Sequence, residues 1–301
     1  MKLTAFFTDP AFDRLRGISL MLLATLSFSG MHATIKHVST DLHPFEIAFF
    51  RNFFGLVALF PFFIRHGLTP LKTNCIGLHV GRVALNIGSM LAFFYAISIT
   101  PLAEVIALSF AAPIFATLLA IFIFREKVAL TRWMAILFGF AGTVVILRPG
   151  YEALSLGPIL ALMAAMTWGS AVIIIKTLSK TDSSVTITAY MVLFMTPLSL
   201  IPALLVWEWP TWEQLAWLAL VGSFGTAGHL TMNVAIKLAP TNVVMPIDFV
   251  RLIWVAIIGY FIFAEIPDIF VWIGGAMIFL SGLWIAHAEN QNRKNETDSR
   301  F

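Results

Sequence analysis

Residues 110–150 read FAAPIFATLLAIFIFREKVALTRWMAILFGFAGTVVILRPG, two long apolar runs separated by a short charged turn. Each run is about as long as a bilayer is thick, because a spanning helix needs roughly 20 apolar residues. The same pattern continues in both directions along the chain. It predicts an all-α integral membrane protein with ten spanning helices, near residues 17–35, 45–64, 76–98, 102–123, 132–148, 156–177, 185–206, 213–235, 241–263 and 269–287.

The composition excludes a soluble globular protein. The chain has 59% hydrophobic and 12% charged residues and a mean hydropathy of +0.89, whereas a soluble domain has about 25% charged residues. No signal-peptide cleavage site follows the first apolar stretch, so we expect that stretch to be retained as a span. Cys75 is the single cysteine, so the chain can form no internal disulfide and we expect no metal site or cofactor.

The distribution of basic residues predicts the orientation. Ten spans place fourteen of the nineteen Lys and Arg residues on the side of the termini, and only Lys36 and Arg148 on the other side. Because cytosolic loops carry the excess of Lys and Arg, we expect both termini in the cytosol.

The chain also repeats itself. Matches at element ends recur at offsets of 139 or 140 residues, and they include Lys36/Lys176, Pro101/Pro240, Glu126/Glu265 and Trp133/Trp272. Each half has five spans, an odd number, so the second copy enters the membrane in the opposite sense. This predicts an inverted repeat, the architecture of many alternating-access carriers. The predicted segments are a cytosolic N-terminus (1–16), a first repeat (17–148), a linker (149–155), a second repeat (156–287) and a disordered cytosolic tail (288–301).

The chain resembles a known family. The run quoted above and FVRLIWVAIIGYFIFAEIPDIFVWIGGAMIFLSG (249–282) resemble the two EamA domains of the drug/metabolite transporter superfamily. The segments HPFEIAFFRNFFGL (43–56) and PIDFVRLIWVAIIGYFIFAEIPD (246–268) resemble bacterial members of the branch that includes riboflavin and S-adenosylmethionine carriers. The resemblance implies a central cavity between the repeats, lined mainly by helices 1, 3, 4, 6, 8 and 9, with helices 5 and 10 at the periphery.

Polar side chains in the spans are the candidate site residues, because a charge at mid-bilayer is costly and usually faces a protein-lined or wet interior. Several of them share helix faces at a spacing of three or four residues, and facing aromatic rings would suit a planar substrate. The predicted substrate-binding residues are Phe28, His32, Arg82, Asn86, Phe93, Trp168, His229, Asn233, Asp248 and Arg251.

Depth divides the charged residues into two predicted clusters. Arg51 and Glu104 lie toward the outer ends of their helices and are predicted to form an outer gating or coupling cluster, whereas Arg82, Asp248 and Arg251 lie in the cytosolic half. The alternative is that these charges are structural pairs, Arg51 with Glu104 and Asp248 with Arg82 or Arg251. His32 and His229 could equally be hydrogen-bonded between helices, and Phe28 and Trp168 could be packing residues.

These observations predict a secondary transporter of a small polar or zwitterionic metabolite of the amino acid, nucleoside, adenosylmethionine or flavin type. Basic residues slightly outnumber acidic ones within the spans, which favours a substrate with an acidic group. The chain has no phosphate-binding loop and no HExxH or GxSxG motif, so direct ATP hydrolysis and common intramembrane enzyme chemistry are not expected. A flippase for lipid-linked substrates and a non-transporting scaffold or sensor are the alternatives.

Two kinds of partner are predicted besides the metabolite and the bilayer. A proton is a candidate coupling ion, because Glu104, Asp248, His32 and His229 can titrate when they are buried or paired. Small residues on helices 5 and 10, among them Gly139, Gly142 and Gly274, permit close helix contact. That contact can lie within the chain or join two chains in a homodimer. We expect no nucleic-acid partner.

Overall fold

The computed structural model describes residues 10–67, 71–124, 130–148, 155–239 and 241–298, and these form helices and turns without strands. The helices are α1 (Pro10–Val38), α2 (Pro44–His66), α3 (Ile76–Ile99), α4 (Leu102–Ser109), α5 (Ala112–Phe124), α6 (Leu130–Leu147), α7 (Leu156–Leu178), α8 (Ser184–Leu204), α9 (Trp212–Leu238), α10 (Thr241–Val244), α11 (Val250–Phe263) and α12 (Ile269–Asp298).

The predicted ten spans are confirmed. Within the described residues, eight segments are long and apolar enough to cross a membrane, and α6 and α12 add two shorter apolar segments, Trp133–Leu147 and Ile269–Ile285. The tail expected to be disordered continues α12 as far as Asp298. Its Glu, Gln, Lys and Arg residues favour a helix once the preceding span has nucleated it.

Local sequence explains several helix ends. Proline at the first position of α2 needs no hydrogen-bond donor there, and His43 Nδ1 accepts a hydrogen bond from the Phe45 amide at 3.2 Å. Thr211 and Gln214 form a reciprocal capping box at the start of α9. The α2 helix ends at Gly67, which has a φ of 58°.

The fourth and ninth spans are interrupted, which the sequence analysis did not predict. The fourth is divided into α4 and α5 at Phe110 and Ala111, and the ninth contains a 3-10 turn, Met245–Phe249, between α10 and α11. Proline has no amide hydrogen and clashes with the carbonyl four residues before it. Pro113 and Pro246 therefore break the helical ladder in the preceding turn.

The two interruptions meet at the centre of the protein. Phe110 and Phe249 occupy equivalent positions in the repeats, and their ring centroids lie 4.4 Å apart. The most extensive helix contacts also join one repeat to the other: α1 to α9, α3 to α7, α2 to α8 and α6 to α12. An approximate twofold relation between the halves accounts for this pattern, since it exchanges the first two contacts and maps each of the last two onto itself.

Equivalent turns in the two repeats have the same backbone geometry. Thr100 has φ and ψ of −133° and 151°, and Ala239 has −135° and 152°. Each turn packs against a glycine of the other repeat. A Cβ on Gly17 would lie 2.7 Å from the Ala239 Cβ, and one on Gly157 would collide with the Thr100 side chain. Pro240, the repeat match of Pro101, lies outside the described residues.

The α6–α12 contact lies within the chain. A Cβ on Gly142 would lie 2.7 Å from the Gly274 carbonyl oxygen, and Ser281 Oγ donates to the Ala135 carbonyl at 2.6 Å. The glycines that the sequence analysis considered for a homodimer are therefore used to join the two repeats of one chain.

Candidate functional site

Aromatic and histidine rings from four helices meet at the middle of the bundle. The His32 ring contacts Phe93 with centroids 5.2 Å apart, and the His229 ring contacts Phe28 at 5.1 Å and Trp168 at 6.2 Å. The structure thus brings together these five predicted site residues, from α1, α3, α7 and α9. The rings pack directly against one another on four of the helices that the family resemblance implies as the lining of a cavity.

Arg251 lies against one side of this ring cluster. Its guanidinium lies 5.9 Å from the Phe28 centroid and 5.1 Å from the Phe110 centroid. Its Nη2 lies 3.1 Å from Asp248 Oδ2. The Asp248–Arg251 pairing, one of the two that the sequence left open, is therefore the one observed. Cation–π contacts of this kind add to the attraction that holds Arg251 in place.

Arg82 contacts α8 and has no carboxylate partner among the described residues. Its Nη1 donates to the Ile187 carbonyl at 2.9 Å, and its Nη2 lies 3.4 Å from the Met191 sulfur. The side chain is buried, as is that of Asn86 one turn further along α3. On the same helix face, Ser89 Oγ donates to the Ala164 carbonyl of α7 at 2.8 Å.

Arg51 lies deeper in the bundle than a gate residue would. It is buried, and its Nη1 donates to Asn52 Oδ1 at 2.9 Å. The guanidinium packs over Gly225 of α9, where a Cβ would lie 3.0 Å from Nε. Gly228, one turn further along α9, packs in the same way against Phe28 of the ring cluster. The structure therefore places Arg51 beside the ring cluster rather than in an outer cluster with Glu104.

Asn233 connects helices instead of facing the rings with a free amide. Its Nδ2 donates to Thr188 Oγ1 of α8 at 3.2 Å. This contact joins α8 to α9 beside the site.

Several buried polar atoms around the rings make no hydrogen bond within the described residues. They belong to residues that we call the polar centre, and the atoms are His32 Nδ1, Arg82 Nε, Asn86 Nδ2 and Oδ1, Asp248 Oδ1, Arg251 Nε and Trp254 Nε1. Buried polar groups in proteins almost always have partners, and each one left without costs about 1–3 kcal/mol. These atoms are therefore free to form hydrogen bonds with a polar ligand.

At the end of the bundle opposite the N-terminus, the repeats are joined by an arrangement that we call the lysine lock. Lys36 Nζ lies 2.5 Å from Glu265 Oε1 and donates to the Thr100 carbonyl at 2.7 Å. The other Glu265 oxygen accepts from the Leu102 amide at 2.9 Å. The lock therefore ties the α11–α12 turn of the second repeat to α1 and the α3–α4 turn of the first.

A cavity of about 340 Å³ lies beside the lysine lock. Glu104, predicted to gate or couple, lines this cavity together with Glu265, Arg148 and Asp268. Arg148 Nη2 lies 2.7 Å from Asp268 Oδ2, an ion pair between the two repeats. Glu104 thus belongs to the end of the bundle, well apart from the polar centre.

At the other end, the repeats are joined by a second arrangement, the histidine latch. Asp182 Oδ2 lies 2.7 Å from His79 Nε2 and accepts from Thr73 Oγ1 at 2.7 Å. The His79 ring stacks on Tyr190 with centroids 4.4 Å apart, and Tyr190 OH donates to the Leu71 carbonyl at 2.7 Å. The two repeats are therefore joined at both ends of the bundle.

Asp182 lies in the turn between α7 and α8, so its charge state bears on the latch. Burial raises the pKa of its carboxyl, but the hydrogen bonds from His79 and Thr73 lower it by more. The net pKa is below its ordinary value, so Asp182 is ionised at neutral pH.

The sequence analysis missed Trp254, the lysine lock and the histidine latch. The indole of Trp254 carried no polar partner in sequence to single it out, whereas Lys36 and Glu265 both appeared in the repeat matches and could have been paired. Within the described residues, no group of His, Cys, Asp and Glu side chains could hold a metal ion.

Comparisons with known proteins agree with this architecture. The EamA-like transporter family matches residues 15–148 and 155–286. An S-adenosylmethionine uptake transporter of Rickettsia felis is 32% identical over 94% of this chain and 97% of its own length. A riboflavin transporter of Vibrio cholerae is 30% identical over 94% of this chain and 96% of its own length.

A solved crystal structure is also similar, with a TM-score of 0.63 and 16% identity over 92% of this chain and 98% of that one, which supports the fold alone. Two copies of the family's domain fill the five-helix halves of the chain, which confirms the resemblance and the two-repeat fold predicted from the sequence. The chain belongs to the EamA-like transporter family and is a multi-pass membrane transporter rather than an enzyme.

Proposed function

We propose that this chain is a secondary transporter of the bacterial inner membrane that moves a small polar or zwitterionic organic metabolite by alternating access. The proposal rests on the polar centre. There, buried hydrogen-bonding atoms without partners lie beside aromatic rings, between two repeats that contact each other at both ends. A ligand with polar groups on a flat ring would supply the hydrogen bonds that the side chains lack.

The relatives narrow the first substrates to test. S-adenosylmethionine and riboflavin, named for the Rickettsia and Vibrio proteins, both contain a flat heteroaromatic ring system. The ring cluster around Phe28, Phe93 and Trp168 suits such rings by stacking and edge contacts.

In the alternating-access cycle, the lysine lock and the histidine latch would open in turn. With both termini in the cytosol, the lock lies on the outer side and the latch on the cytosolic side. A cysteine introduced at Thr297 in a Cys75→Ser background should resist an impermeant thiol reagent in intact spheroplasts and react after lysis. Labelling before lysis would show that the C-terminus lies on the outer side and that the predicted orientation is wrong.

Counterflow in proteoliposomes tests the transport proposal. Vesicles preloaded with unlabelled metabolite should accumulate the labelled form, for a panel of S-adenosylmethionine, riboflavin, amino acids, nucleosides and their acidic derivatives. Asn86→Leu, which removes the unbonded amide at nearly constant volume, should abolish counterflow, and Arg65→Gln at an exposed helix end should not. If no soluble metabolite shows counterflow while lipid-linked substrates are translocated, the chain is a flippase instead.

Proton coupling and self-association complete the proposal. If an imposed pH gradient drives net accumulation of the substrate, proton movement is coupled to transport. If the gradient has no effect, the protein carries out exchange without proton coupling. A homodimer through α6 and α12 would use their outward faces, because their glycine faces are buried in the intrachain contact. Mass measurement of the purified protein in nanodiscs decides between monomer and dimer.

A further inference from the structure

The balance of charge at the centre of the bundle distinguishes this site. Three arginines lie within the spans: Arg51 and Arg82 are buried, and Arg251 contacts the Phe28 ring. Asp248 is the acidic side chain that accompanies them, and it is paired with Arg251. Among the other described acidic residues, Glu104 and Glu265 line the cavity at one end of the bundle, and the buried Glu46 accepts a hydrogen bond from the Glu208 amide at 3.3 Å.

Arg51 and Arg82 therefore lack an anionic partner within the described residues. Arg51 donates to an amide oxygen, and Arg82 to a carbonyl oxygen and a thioether. Both are buried, with 4% and 3% of their surface exposed. A buried charge is costly unless it is paired and hydrogen-bonded, and neutral acceptors compensate it only in part.

The unbonded atoms on α3 form a suitable receptor for an acid group. Arg82 Nε and Asn86 Nδ2 are both donors without partners, and they lie four residues apart on one helix face. Hydrogen bonds in which an ionised guanidinium meets a carboxylate are roughly twice as strong as neutral ones. Asn86 Oδ1, an acceptor beside them, adds a position for an N–H group of the same ligand.

We infer that the substrate is a net-anionic compound with a flat heteroaromatic ring, whose acid group binds Arg82 and Asn86 while its ring enters the Phe28–Phe93–Trp168 cluster. This inference rests on the proposed transport function and narrows it. It also separates this chain, by net charge, from the substrates named for its relatives, since S-adenosylmethionine, with a sulfonium, an ammonium and a carboxylate group, is net cationic and riboflavin is uncharged.

Matched ligand pairs test the inference. Nicotinate and nicotinamide, and likewise orotate and uracil, share a ring and differ in the carboxylate. Binding to the purified full chain is measured at neutral pH by thermal shift and calorimetry. We expect the acid of each pair to bind about tenfold or more tightly than its neutral twin, as one hydrogen bond to a charged group would give.

Arg82→Gln should remove this discrimination while Arg82→Lys keeps part of it, and Arg65→Gln, the matched loss of an exposed charge, should leave it unchanged. If Arg82 has a purely structural role, Arg82→Gln should lower the stability of the protein by the same amount with every ligand. The ratio of affinities within each pair should then stay unchanged. Equal affinity for acid and neutral twin in the native protein overturns the inference.

A second experiment needs no ligand. Met191→Glu places a carboxylate where the sulfur now lies 3.4 Å from Arg82 Nη2, and Met191→Gln is the uncharged control of the same shape. If Arg82 lacks a counterion, the Glu variant should melt at a higher temperature than the Gln variant. If it melts lower, the buried positive charge is already compensated and the inference fails, whatever the ligand panel shows.

The two proposals fail in different ways. Robust counterflow of S-adenosylmethionine or riboflavin that Arg82→Gln leaves intact would preserve the transport function and overturn the anionic substrate. Absence of counterflow for every metabolite in the panel would overturn the transport function itself.

Discussion

Glu265→Gln should shift the protein toward a conformation open at the end of the lysine lock. The substitution keeps the size of the side chain and one acceptor oxygen but removes its charge. Lys36 and Glu265 are only 15% and 20% exposed, at an N–O distance of 2.5 Å, so their attraction is less screened than that of a surface pair.

The expected loss can be worked from these contacts. A hydrogen bond to a charged group contributes about 1.5–3 kcal/mol and a neutral one about 0.5–1.5 kcal/mol. Gln has one acceptor oxygen, so it retains a bond from either Lys36 or the Leu102 amide and loses the other contact, together with the attraction between the two charges. The closed state should therefore lose about 1–2 kcal/mol relative to the open one, a change of roughly 5- to 30-fold in their ratio.

A buried cysteine reports this ratio. Val105 is 0% exposed and lies one turn beyond Leu102 on α4, so Val105→Cys in a Cys75→Ser background should react with a water-soluble maleimide only through opening. In detergent-purified protein, Glu265→Gln should raise the labelling rate by the factor given above. Glu213→Gln, which removes an exposed carboxylate outside the lock, is the control. A labelling rate in Glu265→Gln no higher than in that control would refute the lock.

Three further outcomes are expected. Arg82→Ala and Asp248→Asn should each abolish counterflow while the protein still inserts and elutes as a folded species; normal transport by either variant removes that residue from the site. Asp182→Asn should lower the melting temperature at neutral pH, and because the carboxyl pKa is depressed in the folded state, the difference from wild type should vanish only as the pH falls below about 4; a difference that vanishes near pH 6 contradicts this assignment. Gly142→Ala should destabilise by about 1–3 kcal/mol through overpacking, whereas Gly77→Ala, with open space around it, should stabilise its helix or leave it unchanged.

The spans could be predicted because bilayer thickness imposes one length on every helix. Their interruptions could not be placed, even though Pro113 and Pro246 were visible, because a proline in a membrane helix is often accommodated by neighbouring groups. The sequence also paired the two repeats correctly. The matches at element ends, such as Lys36/Lys176 and Glu126/Glu265, carried this signal, because a charged or polar residue recurs less often by chance in apolar helices than Phe or Ile does.

The partners of the charged residues were harder to predict. Asp248 and Arg251 lie three residues apart on one helical stretch, so their pairing follows from local geometry. The partner of Arg82 is a main-chain carbonyl of α8, Ile187. Such a contact depends on how two helices rotate and slide against each other, and a carbonyl is present at every residue, so the sequence has no feature that marks it. The same applies to Arg51 and its place over Gly225.

The contact between Glu265 and the Leu102 amide has a consequence for the dynamics of the chain. The first amides of any helix lack partners within that helix, and here α4 obtains one from a carboxylate of the opposite repeat. The helix is thus completed across the contact between the two repeats. In the proposed alternating-access cycle this contact opens, and the first turn of α4 would then lose an N-terminal cap, a contribution of about 1 kcal/mol in typical helices. Transport and local helix fraying then become one equilibrium, and hydrogen–deuterium exchange at the Leu102 amide would record each opening of the carrier.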